Sequence, residues 1–236
     1  YGVDGICMYH YWFKEGKQIL EKPAKNLLSW KDIDMPYCFC WANETWARSW
    51  ARLQGANAWA DKYEDCKHRN GKAILLEQAY GDEEIWKKHF IYLNHFFKDK
   101  RYIKIDGKPL FLIYRANDIY CLRRMVEVWE KCAIEVGWKG LYIIGGYCND
   151  FESASLNGKL ICEPGSEMIN FQEKILNKEL TKVDYSQLWE FILENEQSKN
   201  SKTYYSGFVG YDDTPRRGEK GTVVINSSPE LFRKYM

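Results

Sequence analysis

Three observations predict an α/β fold, a (β/α)8 TIM-type barrel. Short apolar runs without helical period recur along the chain, and most are followed by a helical pattern; this alternation builds a parallel sheet. No G-x-G-x-x-G or G-x-x-x-x-G-K motif opens a helix, which removes the nucleotide-binding argument for an open, doubly wound sheet. Polar and aromatic clusters end strand after strand, at His10 to Trp12, Asn43 to Trp46, Gln78 to Tyr80 and Arg115. A barrel collects such ends on one face. The 236 residues suit a single domain, 1–236.

In chain order, Val3 to Tyr9 is the first predicted strand. Gln18 to Trp30 follows as a helix, with Pro23 tolerated only in its first turn. Pro36 to Ala42 is a buried strand that breaks into N-E-T-W-A-R. Residues 51–71 lack periodicity and are predicted as a long loop or insertion. Ala73 to Gln78 is the third strand. The next helix starts at Asp82, Glu83 and Glu84, buries Trp86, Phe90, Leu93, Phe96 and Phe97, and closes on Lys98, Lys100 and Arg101. Asp106-Gly107 marks a tight turn into the strand Pro109 to Tyr114. Leu122 to Val136 keeps helical spacing and stops at Gly137. Leu141 to Gly146 is another strand, and Lys159 to Cys162 a short one. The rest of Phe151 to Lys182 is ambiguous. Tyr185 to Leu193 is helical, Thr203 to Val209 and Thr222 to Ile225 are extended, and a last helix begins near Ser228-Pro229-Glu230. The chain opens at Tyr1 without an initiator Met and stops at Met236 within that helix, so it reads as a fragment trimmed at both ends.

Composition narrows the function. Thirty-four Lys plus Arg balance 33 Asp plus Glu, a formal charge of +1, which argues against nucleic acid as a partner. Ten Trp, 17 Tyr and 11 Phe are unusually many, and flat rings with a polar handle suit sugar faces. Eight Cys form no C-x-x-C pair. They read as reduced, largely buried thiols, and hence as a cytoplasmic protein; Cys38 and Cys40 share a strand face. No apolar run has the roughly 18 to 20 residues of a membrane span.

The residues able to carry chemistry cluster at predicted strand ends. Glu44 is the best candidate carboxylate, for catalytic assistance or for binding substrate hydroxyls, with a structural anchor for the strand end as the alternative. Asn43 and Arg48 carry the same two readings. Trp41 suits a core better than a sugar platform, and Trp46 and Trp50 are evenly balanced. His10, flanked by Tyr9, Tyr11 and Trp12, is the one site-like histidine, whereas His68, His89 and His95 are assigned to the surface or to helix faces. Gln78, Tyr80, Tyr114 and Arg115 complete the strand ends. Asp212, Asp213, Arg216 and Arg217 form a charged loop with three readings. It could hold a divalent ion against a nucleotide diphosphate, form a salt-bridged turn ordered by Pro215 and Gly218, or contact polysaccharide at a rim.

Four stretches carry a resemblance: Y-H-Y-W-F (Tyr9 to Phe13), C-W-A-N-E-x-W (Cys40 to Trp46), Y-I-K-I-D-G-K-P-L-F-L-I-Y-R (Tyr102 to Arg115) and D-D-T-P-R-R-G (Asp212 to Gly218). They resemble the WbsX-type glycosyltransferase or lipopolysaccharide-biosynthesis family, which is similar to glycoside hydrolase family 99, the endo-α-mannanases and endo-α-mannosidases. The resemblance covers nearly the whole chain and implies a (β/α)8 barrel acting on bacterial surface polysaccharide, with no metal essential to hydrolysis and no cofactor. Thr45 stands where an Asn is usual in the family, and Tyr211 and Asp213 where Trp and Asn are expected. The family's later N-E-W-x-E-type segment, similar to the one that supplies the paired acids of family 99, would lie beyond Met236. Glycoside hydrolysis needs two acids about 5 to 5.5 Å apart for retention, or roughly 6.5 to 9.5 Å when a water must fit between them. The expectation is therefore a glycan-active barrel whose acid pair lies mostly outside the chain, with Glu44 in support. A nucleotide-sugar glycosyltransferase and a non-catalytic sugar-binding barrel are the rivals.

Overall fold

A computed structural model describes residues 2–47, 74–152, 154–175, 181–195, 202–218 and 221–236. In chain order the elements are β1 (Ile6–His10), α1 (Lys22–Ser29), β2 (Tyr37–Trp41), β3 (Trp46–Ala47), β4 (Ile74–Leu76), α2 (Glu83–Phe97), β5 (Lys104–Ile105), β6 (Lys108–Ile113), α3 (Leu122–Glu135), β7 (Tyr142–Gly146), β8 (Gly158–Ile161), α4 (Gly165–Ile175), β9 (Thr181–Asp184), α5 (Tyr185–Glu194), β10 (Thr203–Tyr205), α6 (Thr214–Arg217), β11 (Thr222–Ile225) and α7 (Pro229–Tyr235). Two compact units result: residues 1–45 with 77–160, and residues 46–76 with 161–236.

In the first unit the strands run in the order β1-β2-β6-β7-β8, all parallel. The pairing is in register, with His10 beside Trp41, Trp41 beside Ile113 and Ile113 beside Gly145. Successive residues face opposite ways, so Phe39, Trp41, Phe111 and Ile113 point to one side. Both α2 and α3 lie on that side. Phe96 and His89 of α2 and Trp129 of α3 meet these rings edge-on or tilted, with centroids 4.8 to 6.1 Å apart. Such contacts are favourable for ring quadrupoles. A mixed α/β fold with a mostly parallel sheet therefore stands, but among the described residues no closed barrel is formed.

Local signals place most elements. Asp82 caps α2 by accepting the N–H groups of Glu84 and Ile85. The predicted apolar face of α2 is buried throughout. Asp106 and Gly107, both at positive φ (54° and 79°), close the β5–β6 hairpin, and Gly137 at φ 94° stops α3. Helix α1 begins four residues later than predicted. Gln18 bridges Trp12 in antiparallel fashion, and Leu20, at φ 54°, leaves helical space. The predicted third strand is also corrected. Only Ile74–Leu76 is extended, and it pairs antiparallel with β3 in the second unit rather than joining the parallel sheet. The run is short, and Ile74 is 44% exposed, whereas a central parallel strand is covered on both faces. The predicted loop at 51–71 lies outside the described residues.

The second unit pairs β9 with β11 in parallel. Its core is Val183, Tyr185, Leu188, Phe208 and Val224, with Trp189 stacked between Phe208 (5.0 Å) and Tyr235 (5.9 Å). Asp184 caps α5, and Ser228 caps α7. The ambiguous stretch before Lys182 supplies α4 and the start of β9. T-K-V-D carries a single apolar residue, too little to announce a strand.

Arg101, predicted merely to complement the dipole of α2, is 5% exposed. Its guanidinium donates twice to Asp99, at 3.0 and 2.8 Å. It also donates to the carbonyls of Leu27, Trp30 and Ile33, each at 2.7 Å. The cation beside it holds the Asp99 carboxyl well below the usual carboxylate range. One fork thus ties the end of α1 to the end of α2. Removing it takes the guanidinium from three carbonyls and from a buried carboxylate that, among the described residues, keeps only Lys31, at 3.4 Å, as a cation, so Arg101→Met is expected to cost about 3 to 5 kcal/mol in urea unfolding. A loss below about 1 kcal/mol would show that the fork is dispensable.

Candidate functional site

Asn43 lies two residues beyond the carboxyl end of β2. This residue is 1% exposed and works as a clamp. Its Oδ1 accepts the Arg115 N–H at 2.9 Å, and its Nδ2 donates to the Arg115 carbonyl at 2.9 Å and to the Tyr80 hydroxyl at 3.2 Å. The Tyr80 hydroxyl in turn donates to the Asn43 carbonyl. The side-chain amide thereby imitates a strand, holding the turn after β2 against the turn after β6. Of the two readings open in the sequence, the structural one describes Asn43.

The clamp places Glu44 and Arg115 side by side at the surface. Arg115 Nε lies 2.7 Å from Asp118 Oδ2 and 3.7 Å from Glu44 Oε1, each side chain being 34 to 46% exposed. The guanidinium also sits over the ring of Tyr147, 5.0 Å from its centroid, a cation–π distance. Tyr147 packs edge-on against Tyr114 (5.4 Å), which meets Tyr9 (6.1 Å), and Tyr9 meets Tyr11 (6.5 Å). Burial and the neighbouring Tyr147 push the Tyr114 hydroxyl far above the ordinary phenol value, so it stays protonated. The result is two carboxylates on one guanidinium beside a row of tyrosines, of which Tyr9 is 58% exposed. Carboxylates can accept sugar hydroxyls and ring faces can take sugar C–H groups.

Several predicted contacts are elsewhere. His10 is corrected from substrate contact to core: its Nε2 lies 2.8 Å from Nε2 of His89, and its ring stacks on Tyr92. His89 lies on a helix face as read, but on the buried face of α2: it is 1% exposed and lies flat on Trp12 at 4.5 Å. Trp12 and Trp41 are core side chains, 6% and 2% exposed, and Trp41 Nε1 donates to the Trp12 carbonyl. Tyr80 serves the Asn43 clamp. The Gln78 backbone N–H donates to Thr45 Oγ1, and Gln78 Nε2 to the Ala79 carbonyl. Trp46 belongs to the second unit, opposite Leu76. In that unit Asp213 is 7% exposed, accepting the Thr222 N–H and the Tyr211 hydroxyl, and Asp212 accepts from Thr214. Both carboxylates serve their own turn, and among the described residues no group of three His, Cys, Asp or Glu could hold a metal ion. Arg48 and Trp50, and the side chains of Arg216 and Arg217, lie outside the described residues.

Asp118 and Tyr147 were missed. Asp118 follows Arg115 by three residues in a single turn, and the aromatic directly after Y-I-I-G-G was the signal for Tyr147.

The family model described as Glycosyltransferase WbsX matches residues 1–236. The chain belongs to this WbsX family. Two curated relatives, each described as an uncharacterized protein WxcX, come from Xanthomonas campestris pv. campestris, strains B100 and ATCC 33913. They are 23% and 24% identical across 100% of the chain, and the chain spans 32% of their length. A solved structure described as a glycoside hydrolase-like protein aligns with 99% of the chain and 66% of its own, with a TM-score of 0.48 and 12% identity.

Asn43→Leu leaves the Arg115 backbone unpaired and should cost about 2 to 4 kcal/mol by denaturant unfolding; an unchanged midpoint would refute the clamp. Burial holds His10 neutral, lowering its pKa to about 3; burial also holds the His89 imidazole well below its ordinary value, with His10 adding to the effect. Unfolded histidines protonate near 6.5, so the unfolded chain binds more protons below that pH and the pair loses stability as pH falls. The slope approaches about 2.7 kcal/mol per pH unit for two protons. Urea titrations from pH 7.5 to 5 should show this component in the native protein and not in the His10→Gln/His89→Gln variant. Identical pH profiles for the two proteins would contradict it.

Proposed function

We propose that the chain is the glycan-contacting part of a carbohydrate-active enzyme that hydrolyses or remodels bacterial surface polysaccharide. The observation that carries this is the half-exposed Arg115 cluster, with Glu44 and Asp118 on one guanidinium and Tyr9, Tyr114 and Tyr147 alongside. Membership of the WbsX family supports it. Helices α2 and α3 lie on the same face of the parallel sheet, which favours an arc of a (β/α)8 barrel over a doubly wound sheet. In that setting strand-end acceptors bind substrate, and Glu44 and Asp118 receive sugar hydroxyls while Arg115 holds both in place.

The family's description favours a second reading, sugar transfer from an activated donor. It predicts binding of a nucleotide diphosphate sugar with a divalent cation, although Asp212 and Asp213 are already committed to their turn.

Glu44→Gln separates site from scaffold. Calorimetry of the full-length protein with surface oligosaccharides should show affinity falling about tenfold or more, the loss of one charged hydrogen bond, with the thermal midpoint unchanged. New reducing ends on incubation with the polysaccharide mark hydrolysis. Release of nucleotide diphosphate without them marks transfer. Equal affinity in the variant would remove Glu44 from the site.

A further inference from the structure

Three thiols meet on the face of the parallel sheet turned away from α2 and α3. Phe39 and Trp41 point toward those helices, so Cys38 and Cys40, which alternate with them along β2, point the other way. In-register pairing sets Cys7 of β1 beside Cys38, on the same face. The two positions differ in access. Strand β1 begins the strand order, and Cys7 is exposed at this edge, whereas Cys38 and Cys40 lie one strand further in and are buried.

This placement suits exchange between two sulfurs. Neighbouring strands lie roughly 4.8 Å apart, within the Cα separation of about 4.4 to 6.8 Å that a disulfide spans. The thiols of Cys38 and Cys40 both hydrogen-bond to the Cys7 sulfur. Donation from Cys38, and then from Cys40, holds the Cys7 thiol well below its usual range against the opposing effect of burial. The same hydrogen bond, together with burial, raises Cys38. Cys121, Cys132, Cys148 and Cys162 are all raised, chiefly by burial. Tyr102, whose phenol also feels Cys38 and Cys7, is kept protonated mainly by its own burial. Packing as small apolar side chains accounts for the buried Cys38 and Cys40; it gives no role to a thiol at the exposed edge. An accessible sulfur that yields its proton, beside a buried one that keeps it, is the division between an attacking and a resolving cysteine.

We propose that Cys7 and Cys38 form a hydroperoxide-reactive pair that closes to a disulfide joining β1 to β2. The inference is independent of the glycan reading. The Cys7 thiolate attacks one oxygen of hydrogen peroxide, the O–O bond breaks, and the departing oxygen takes up the proton that Cys7 had released and leaves as water. Cys7 then carries a sulfenic acid. The Cys38 sulfur attacks the Cys7 sulfur, the S–O bond breaks, and the hydroxyl leaves as water with the Cys38 proton. The two thiols are oxidised to one disulfide, and the peroxide is reduced to water.

The test treats the reduced full-length protein with an equimolar amount of hydrogen peroxide and maps the products by peptide mass spectrometry. A Cys7–Cys38 linkage within one chain is expected, with Cys121, Cys132 and Cys148 still reduced. Cys38→Ser, or Cys38→Ala if serine abolishes the cooperative thermal transition, should instead leave Cys7 as a sulfenic acid that dimedone captures. Cys7→Ser should leave Cys38 reduced. Reactivity without oxidant gives a second readout. An ordinary thiol of pKa about 8.5 is below about 1% thiolate at pH 6, so iodoacetamide at that pH should label Cys7 in the folded protein about tenfold or more faster than Cys132. Equal labelling rates, no peroxide reaction at Cys7, or a linkage from Cys7 to any cysteine other than Cys38 of its own chain would overturn the proposal.

Discussion

Every polar group that the Asn43 side chain offers is spent on holding two turns together. In-register pairing ends at Trp41 and Ile113, and beyond that point the backbone of a parallel pair has no ladder left to bond. Asn43 supplies the next rung by giving and taking a hydrogen bond with the backbone of Arg115. Without that rung the chain after β2 could leave in many directions. With it, Glu44 and Arg115 are carried to the same patch of surface, and Asp118 and Tyr147 find the guanidinium already in place.

The rigidity of this arrangement comes from below. Rings on one face of the sheet, Phe39, Trp41 and Phe111, pack edge-on into α2 and α3, and His89 fills the gap between Trp12 and Trp41. A neutral imidazole pair suits such a core, because each ring is flat and the two share one hydrogen bond. The same packing explains why Trp12 and Trp41 are core side chains. Trp12 and Trp41 are large enough to span from sheet to helix and are consumed there, whereas the tyrosines, with a hydroxyl to keep hydrated, remain at the rim.

Much of the fold was legible because its signals are local. Asp82 with its apolar face, Asp106-Gly107, Gly137 and Ser228-Pro229 each act within a few residues, and each element appears where those residues place it. The site was legible only in outline. Glu44, Arg115, Tyr9 and Tyr114 stand out in the sequence because they end or follow apolar strands. Asp118 and Tyr147 do not, since what marks them is a shared guanidinium whose neighbours lie 3 and 32 residues away. Arg101 looked like a helix-end charge, and nothing in the sequence says that three carbonyls from the end of α1 and the turn after it will surround it.

By itself the sequence determined most of the strands and helices, the parallel character of the main sheet, and the strand-end position of polar and aromatic residues. These follow from periodicity, capping and turn chemistry, which act over one or two turns of chain. Tertiary structure alone decided which of those residues are buried and which are presented. It turned Asn43 into a clamp and drew His10 and His89 into the core. Burial and long-range pairing are properties of surfaces that meet only after folding, and they, rather than residue type, set whether a polar side chain holds the protein together or faces a substrate.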